Sequence, residues 1–398
     1  MSSVFNTQSN TNGSRTVELI ENSTLISNVN GSIFFSDDGV HRAGKNLILW
    51  TFPIVIVIGT IGNIFSFIVM LQRKLRQTST FFYLAMLALV DTMVLYVSAL
   101  KTWIRVVADF ELLHISDASC KILMFFVYFS LHFSAWLIVA VTIERFIAVW
   151  FPLKATSICN PRRAKISSLV IALVLCIING HLFWTAKLHS SSDTGTKQCA
   201  MFSYHSIFYK LIWPWIHFIM YSFLPFVLLC VFNILIIVSL IRHRWIITST
   251  MTKDDRRIRY NHRKLAITLL CISFAWILTT TPSALYTVLP LKPITINDHA
   301  KDFLIKVLCY ILLYLNHSVN FFLYCITGQN FRQEFVRFIC RIHRRRRPPP
   351  PKLTFRASRS NSGQETSYPL MEQVKTIGNY PNRISKSSSK STSQSHSV

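Results

Sequence analysis

Long apolar runs separated by short polar segments set the pattern of this chain. A membrane-crossing helix needs about 20 mostly apolar residues. Seven stretches meet that length: 46–72, 81–106, 118–150, 165–187, 211–242, 263–291 and 301–327. The first has no charge between Leu47 and Leu71, while the second holds Lys101 and Arg105 near one end. The third and fifth are long and run into charged residues, as helices projecting from a membrane do. The pattern predicts an all-α membrane protein with a bundle over 46–327, preceded by a polar, disordered segment over 1–45.

Composition narrows the alternatives. The chain of 398 residues is 51% hydrophobic and only 15% charged, yet carries Lys+Arg 42 against Asp+Glu 17, a net charge of +25. A basic excess alone suggests nucleic acid, but long apolar runs argue against that partner. Bulk disorder would need low hydrophobicity. The charge instead reports topology, because short cytoplasmic loops collect Lys and Arg. Arg73, Lys74 and Arg76 fall in 72–80, Lys154, Arg162 and Arg163 in 151–164, and Arg256, Arg257 and Arg259 in 243–262. The segment from 328 adds Arg332, Arg337, Arg341 and the run Arg344 to Arg347. Three N-x-[ST] acceptors, Asn12, Asn22 and Asn30, crowd the first segment and favour an extracellular, glycosylated amino terminus. No charged n-region with a short apolar core opens the chain, so no cleavable signal is expected. The expected location is the plasma membrane, multi-pass, with the carboxyl terminus inside.

That topology sorts the nine cysteines. Seven lie in spans or on the reducing side; Cys120 and Cys199 face the oxidising side and are expected to pair. The alternative is two free thiols, disfavoured in that compartment. No Cys-x-x-Cys or other metal-ligand spacing occurs.

Ionisable groups inside a span are costly. Asp91, in the middle of the second span, needs a cation, polar partners or a proton. Asn63, Ser134, Asn316 and Asn320 stand at matching depth, and with Asp91 could line an oxygen site for an allosteric sodium ion. The alternative is a protonated Asp91 in a purely structural network. At the other end of the third span stands Glu144-Arg145-Phe146, 25 residues beyond Cys120, or about 37 Å of helix.

These residues, with Gly62-Asn63, LALVD ending at Asp91, Pro225, Pro282 and N-F-x-x-Y at 320–324, resemble the rhodopsin-like G-protein-coupled receptors over about 46–341. One motif per helix, in this order, makes the resemblance specific. The stretch 318–335 is similar to invertebrate FMRFamide-type and related neuropeptide receptors. The resemblance implies that Arg145 contacts a heterotrimeric G protein once helix six swings outward. Asn320 and Tyr324 would rearrange on activation, and Asp91 would sense sodium. Beyond the seventh span, Phe331, Phe335, Phe338 and Ile342 have spacing suited to a short amphipathic eighth helix on the membrane over 328–342. Cys340 is a candidate palmitoyl acceptor, or else an inert thiol.

Departures matter as much. Phe321 stands where relatives carry a proline, Thr279-Thr280 replace a Cys-Trp pair with Trp276 one turn deeper, and Asn233 replaces a tyrosine expected to face Arg145. Asn261-His262-Arg263-Lys264 offers no acid to Arg145, leaving Glu144 as its expected restraint and an easily shifted equilibrium with basal signalling.

For the ligand, Val127 replaces the aspartate of amine receptors and Tyr314 the lysine of retinal proteins, which excludes both classes on the resemblance. The expected pocket is aromatic and basic: Lys101, Tyr128, His132, His217, Tyr286, Lys306, Tyr310 and Tyr314, with Trp103, Arg105 and Trp213 nearby. Such a basin suits an extracellular peptide, whose carbonyls and acids need donors. A small non-amine ligand is the alternative, and packing or interfacial anchoring is the alternative role for each residue. A transporter or channel would show repeats and several midplane charges, and an enzyme a catalytic constellation; neither pattern occurs. The tail over 343–398 joins RRRRPPPPK to a Ser-rich end. It would attract anionic lipid and, once phosphorylated by a receptor kinase, arrestin.

Overall fold

A computed structural model describes residues 34–190, 197–201, 208, 212–246, 253–288 and 296–345, without side-chain detail at some helix ends. Among these residues seven helices are long and apolar enough to cross a membrane. They are α1 Phe34–Met70; α2, running from Ser79 to Ala108; α3 Asp117–Trp150; α4 Pro161–Gly180, continued by Leu182–Thr185; α5, from Trp213 to Ile246; α6 Lys253–Val288; and α7 Ile296–Thr327. An eighth helix, α8 Gln329–Arg345, follows directly. The only sheet among the described residues is a hairpin between α4 and α5, β1 Ala186–Ser190 antiparallel to β2 Lys197–Met201.

Local chemistry explains several ends. Asn160 caps α4 by accepting from the Arg163 N–H at 2.9 Å, and Pro161, which lacks an N–H, begins it. Ser116 caps α3 in the same way, accepting from Ser119 at 3.0 Å. Two helices carry π turns, Leu95–Leu100 in α2 and Ile219–Phe223 in α5, the latter just before Pro225. A π turn inserts one extra residue and rotates everything beyond it, so neither helix keeps one register along its length.

Four features differ from expectation. Residues 34–45 belong to α1 rather than to a disordered segment, and their turns pack on α7: the His41 ring lies 4.6 Å from that of Phe303. The helix of the sixth span starts at Lys253, ten residues before the apolar run. The loop after the fourth span contains the hairpin. In α8, Phe331 is buried and Phe335 packs edge-on to Phe65 of α1 at 5.7 Å, so these residues dock the helix onto the bundle. Val336, Ile339 and Ile342 form the exposed apolar side.

Outward faces are apolar along the spans, with Ile54, Val57, Ile61 and Ile64 exposed on α1 and Ile166, Leu169, Leu173 and Ile177 on α4. Water would penalise such stripes; hydrocarbon accepts them. Polar groups face inward instead, where Asp91, Asn63, Ser134 and Asn320 are all buried.

Candidate functional site: a polar spine from the disulfide end to Arg145

Cys120 and Cys199 form a disulfide, with Cα atoms 5.6 Å apart, that ties β2 to the start of α3. Asp117 reinforces it, accepting from the Leu188 N–H of β1 at 3.0 Å and pairing with Lys121 at 2.6 Å. This defines one end of the bundle.

Beneath that end the expected pocket residues divide into separate groups. On α3 and α5, His132 Nε2 lies 2.9 Å from His217 Nδ1, while Asn179 of α4 reaches His132 Nδ1 at 3.1 Å. Tyr128 stands edge-on to His217 at 5.0 Å and to Trp213 at 5.3 Å, and Tyr221 stacks on His217 at 5.4 Å. His217, half-buried, thus has a histidine partner. On α7, the Tyr314 hydroxyl bonds Ser98 of α2 at 2.8 Å, and Tyr310 lies 6.2 Å from Tyr314. Nearer the disulfide end, Tyr286 of α6 donates to Asp302 of α7 at 2.9 Å. Lys101 is half-buried and Lys306 exposed. Arg105 pairs with Glu111 at 3.7 Å, and the Trp103 indole donates to the Leu49 carbonyl, turning toward α1.

At mid-depth, Asp91 gathers three donors. Ser134 donates to Oδ1 at 2.9 Å and Asn320 to Oδ2 at 2.7 Å. The third was not foreseen: His317 Nδ1 lies 2.7 Å from Oδ1, with both side chains fully buried. Asn63 does not reach the carboxylate; its amide donates to the His317 carbonyl at 3.0 Å. Asn316 is buried with its amide nitrogen unpartnered among the described residues. His317, a histidine one turn from Asn320 inside an apolar span, is the readable signal in the sequence for this third partner.

Close packing of α1 on α7 holds this network. A side chain at Gly59 would put its Cβ 2.5 Å from Ser318 Oγ, and one at Gly62 would lie 2.9 Å from Phe321 Cβ. Ser318 in turn donates to Val55 and Tyr314 carbonyls. Phe321 keeps α7 helical through to Thr327 and packs on Phe335 at 5.4 Å and Phe331 at 6.0 Å. In α6, Thr279 and Thr280 donate back to the Ala275 and Trp276 carbonyls ahead of Pro282, and Trp276 lies in the core 6.2 Å from Tyr221.

At the far end, Arg145 Nη2 stands 2.5 Å from Glu144 Oε1, which also accepts from Ser79 at 2.6 Å and Thr80 at 3.0 Å. Phe146 packs on Phe232 of α5 at 5.2 Å, and Asn233 is buried with its amide oxygen unpartnered among the described residues. Among those residues Arg145 makes no bond to α6. Lys264 of α6 instead donates to Gln329, at the start of α8. Tyr324, packed 5.5 Å from Phe331, lines a shallow recess with Met70, Phe81 and Lys264. Cys340 is exposed on α8; Asn12, Asn22 and Asn30 and the tail from 346 lie outside the described residues.

Comparison with known proteins agrees with this architecture. The family described as 7 transmembrane receptor (rhodopsin family) matches residues 62–324. The chain is 26% identical over 339 residues to the FMRFamide receptor of Drosophila melanogaster, covering 79% of this chain and 57% of that receptor. It is 26% identical over 334 residues to the thyrotropin-releasing hormone receptor of Gallus gallus, covering 74% of this chain and 78% of that receptor. The match thus spans little more than half the length of the FMRFamide receptor.

Proposed function

The chain belongs to the rhodopsin family of seven-transmembrane receptors, and from that membership we infer that it binds an extracellular peptide and activates a heterotrimeric G protein. The observation that carries the reading is the buried Glu144–Arg145 pair at one end of a bundle that has the Asp91 network at mid-depth and an aromatic and basic region under the disulfide. Relatives named for FMRFamide and thyrotropin-releasing hormone support a peptide as the ligand. So do Lys101 and Lys306, which offer donors to a peptide's carbonyls and carboxylates, alongside Tyr310.

In this reading the amino terminus is outside and Asn12, Asn22 and Asn30 carry glycans. Cys340, beside the exposed Val336 and Ile339, takes a palmitoyl chain as α8 meets anionic lipid. Receptor kinase and arrestin act on the Ser-rich tail. The recess beside Tyr324 and Lys264 gives the G protein a place to enter when α6 leaves Gln329.

The test is a panel of neuropeptides applied to cells expressing the full chain, read as calcium or cyclic-nucleotide responses. A response from one peptide class, lost in Arg145→Ala with surface expression retained, supports the reading. Peptide-independent solute flux with no such response would refute it.

A further inference from the structure

A buried carboxylate at mid-membrane needs positive charge or donors, and in this fold a sodium ion is the expected supplier. The residues present do not fit one. A hard cation asks for oxygen lone pairs converging on one point. Around Asp91 the arrangement is the reverse: a hydroxyl, an imidazole and an amide nitrogen all point toward the carboxylate, which has its oxygens engaged by Ser134, His317 and Asn320. Of the two other expected oxygen ligands, Asn63 spends its amide nitrogen on the His317 carbonyl, and Asn316 makes no bond to the carboxylate among the described residues.

We propose that His317 occupies the cation's place at Asp91, so that this receptor's internal switch is held by its own side chain and does not respond to sodium.

Three features support this. The imidazole and carboxylate are both fully buried, and His317 is the only basic side chain within contact distance of the Asp91 carboxylate among the described residues. The backbone that carries the imidazole is also held, because the Asn63 amide donates to the His317 carbonyl and the adjacent Ser318 bonds the α1 carbonyl of Val55. Finally, the buried atoms without a partner among the described residues do not converge as an oxygen cage: they include a donor, the Asn316 amide nitrogen, and one amide oxygen, that of Asn63. A bridging water can serve a donor and an acceptor together, whereas a hard cation is served only by oxygens.

The functional consequence follows from covalent attachment. A sodium ion can leave its site when the helices rearrange, so its concentration biases the equilibrium. A histidine on α7 moves with α7, and links any shift of that helix directly to Asp91 on α2. His317 is therefore a positioning residue, and the external sodium level has no handle on the switch.

The full chain, purified in detergent, would be melted in sodium chloride and in N-methyl-glucamine chloride at equal ionic strength and pH. The wild type should melt at the same temperature in both. His317→Ser opens Oδ1 and supplies a hydroxyl oxygen, and should gain a saturable sodium stabilisation of a few degrees, lost again when Asp91→Asn is added. A sodium stabilisation of the wild type that Asp91→Asn abolishes would overturn the proposal. So would a His317→Ser protein that folds but ignores sodium, since something other than the imidazole would then exclude the ion. If the variant does not fold, the wild type with and without Asp91→Asn decides the matter.

Discussion

Arg145 and its neighbour in sequence, Glu144, form a buried ion pair in which Nη2 stands 2.5 Å from Oε1. That same oxygen accepts from Ser79 and Thr80 of α2, so among the described residues the restraint on the arginine runs to α2. Removing one partner of a buried pair costs about 3–5 kcal/mol, and ~1.4 kcal/mol of it falling on one state shifts an equilibrium tenfold. Glu144→Gln should therefore raise ligand-free signalling several-fold over the wild type, with Ser79→Ala giving a smaller rise. Basal second-messenger levels at matched surface expression measure this; equal levels in wild type and Glu144→Gln would refute it.

Phe321 is half-buried and packed into an aromatic cluster. Its ring meets Phe65, Phe331 and Phe335 and so joins α1, α7 and α8. Its neighbour Phe322 points outward and is 44% exposed. Truncating a buried phenylalanine costs about 3–5 kcal/mol, and a half-buried one should lose ~1–3 on the same basis. Phe321→Ala is expected to lower the melting temperature of the solubilised protein, while Phe322→Ala leaves it nearly unchanged. Equal losses from the two would show that the aromatic cluster does not hold α8 in place.

His132 and His217 should behave as one unit. Their nitrogens lie 2.9 Å apart, and Asn179 holds the far side of the His132 ring. Residues in direct contact show coupling of about 0.5–3 kcal/mol, so the double alanine variant should be little less stable than either single one. Thermal denaturation of the four proteins gives the cycle. If His217 serves the ligand instead, His217→Ala will reduce peptide potency while His132→Ala does not, and the stability effects will add.

Sequence pattern and structure meet most closely where burial follows composition. Seven apolar runs of about 20 residues or more give seven spans because a helix satisfies its backbone within its own segment in hydrocarbon. What escaped is what tertiary packing decides. The π turns at Leu95–Leu100 and Ile219–Phe223 have no periodic signature, since each is a single extra residue accommodated by neighbours. The spacing of Phe331 and Phe335 reveals an apolar face but not its partner, which is the bundle. Trp103 looked like a pocket residue and turns to α1, because its indole finds the Leu49 carbonyl there. His317 was legible as a buried histidine; only the structure shows that it reaches Asp91.

The two thiols at the arginine end should differ in reactivity. Cys340 is exposed on α8. Cys159, in the segment between α3 and α4, donates to the Glu144 carbonyl at 3.7 Å, and burial, then the Glu144 carboxylate, raise its pKa above the ordinary thiol value. The thiolate is the reactive species, so a raised pKa leaves less of it at neutral pH. A maleimide applied to inside-out membrane vesicles at neutral pH should modify Cys340 well before Cys159, and labelling of Cys159 should keep climbing as pH rises past the usual thiol range. Glu144→Gln removes the carboxylate while leaving the burial, and should speed Cys159 modification modestly. Mass spectrometry of the tryptic peptides separates the two sites. Equal rates at neutral pH would mean that Cys159 is not packed against Glu144, and that the end of α3 is open in the membrane-bound receptor.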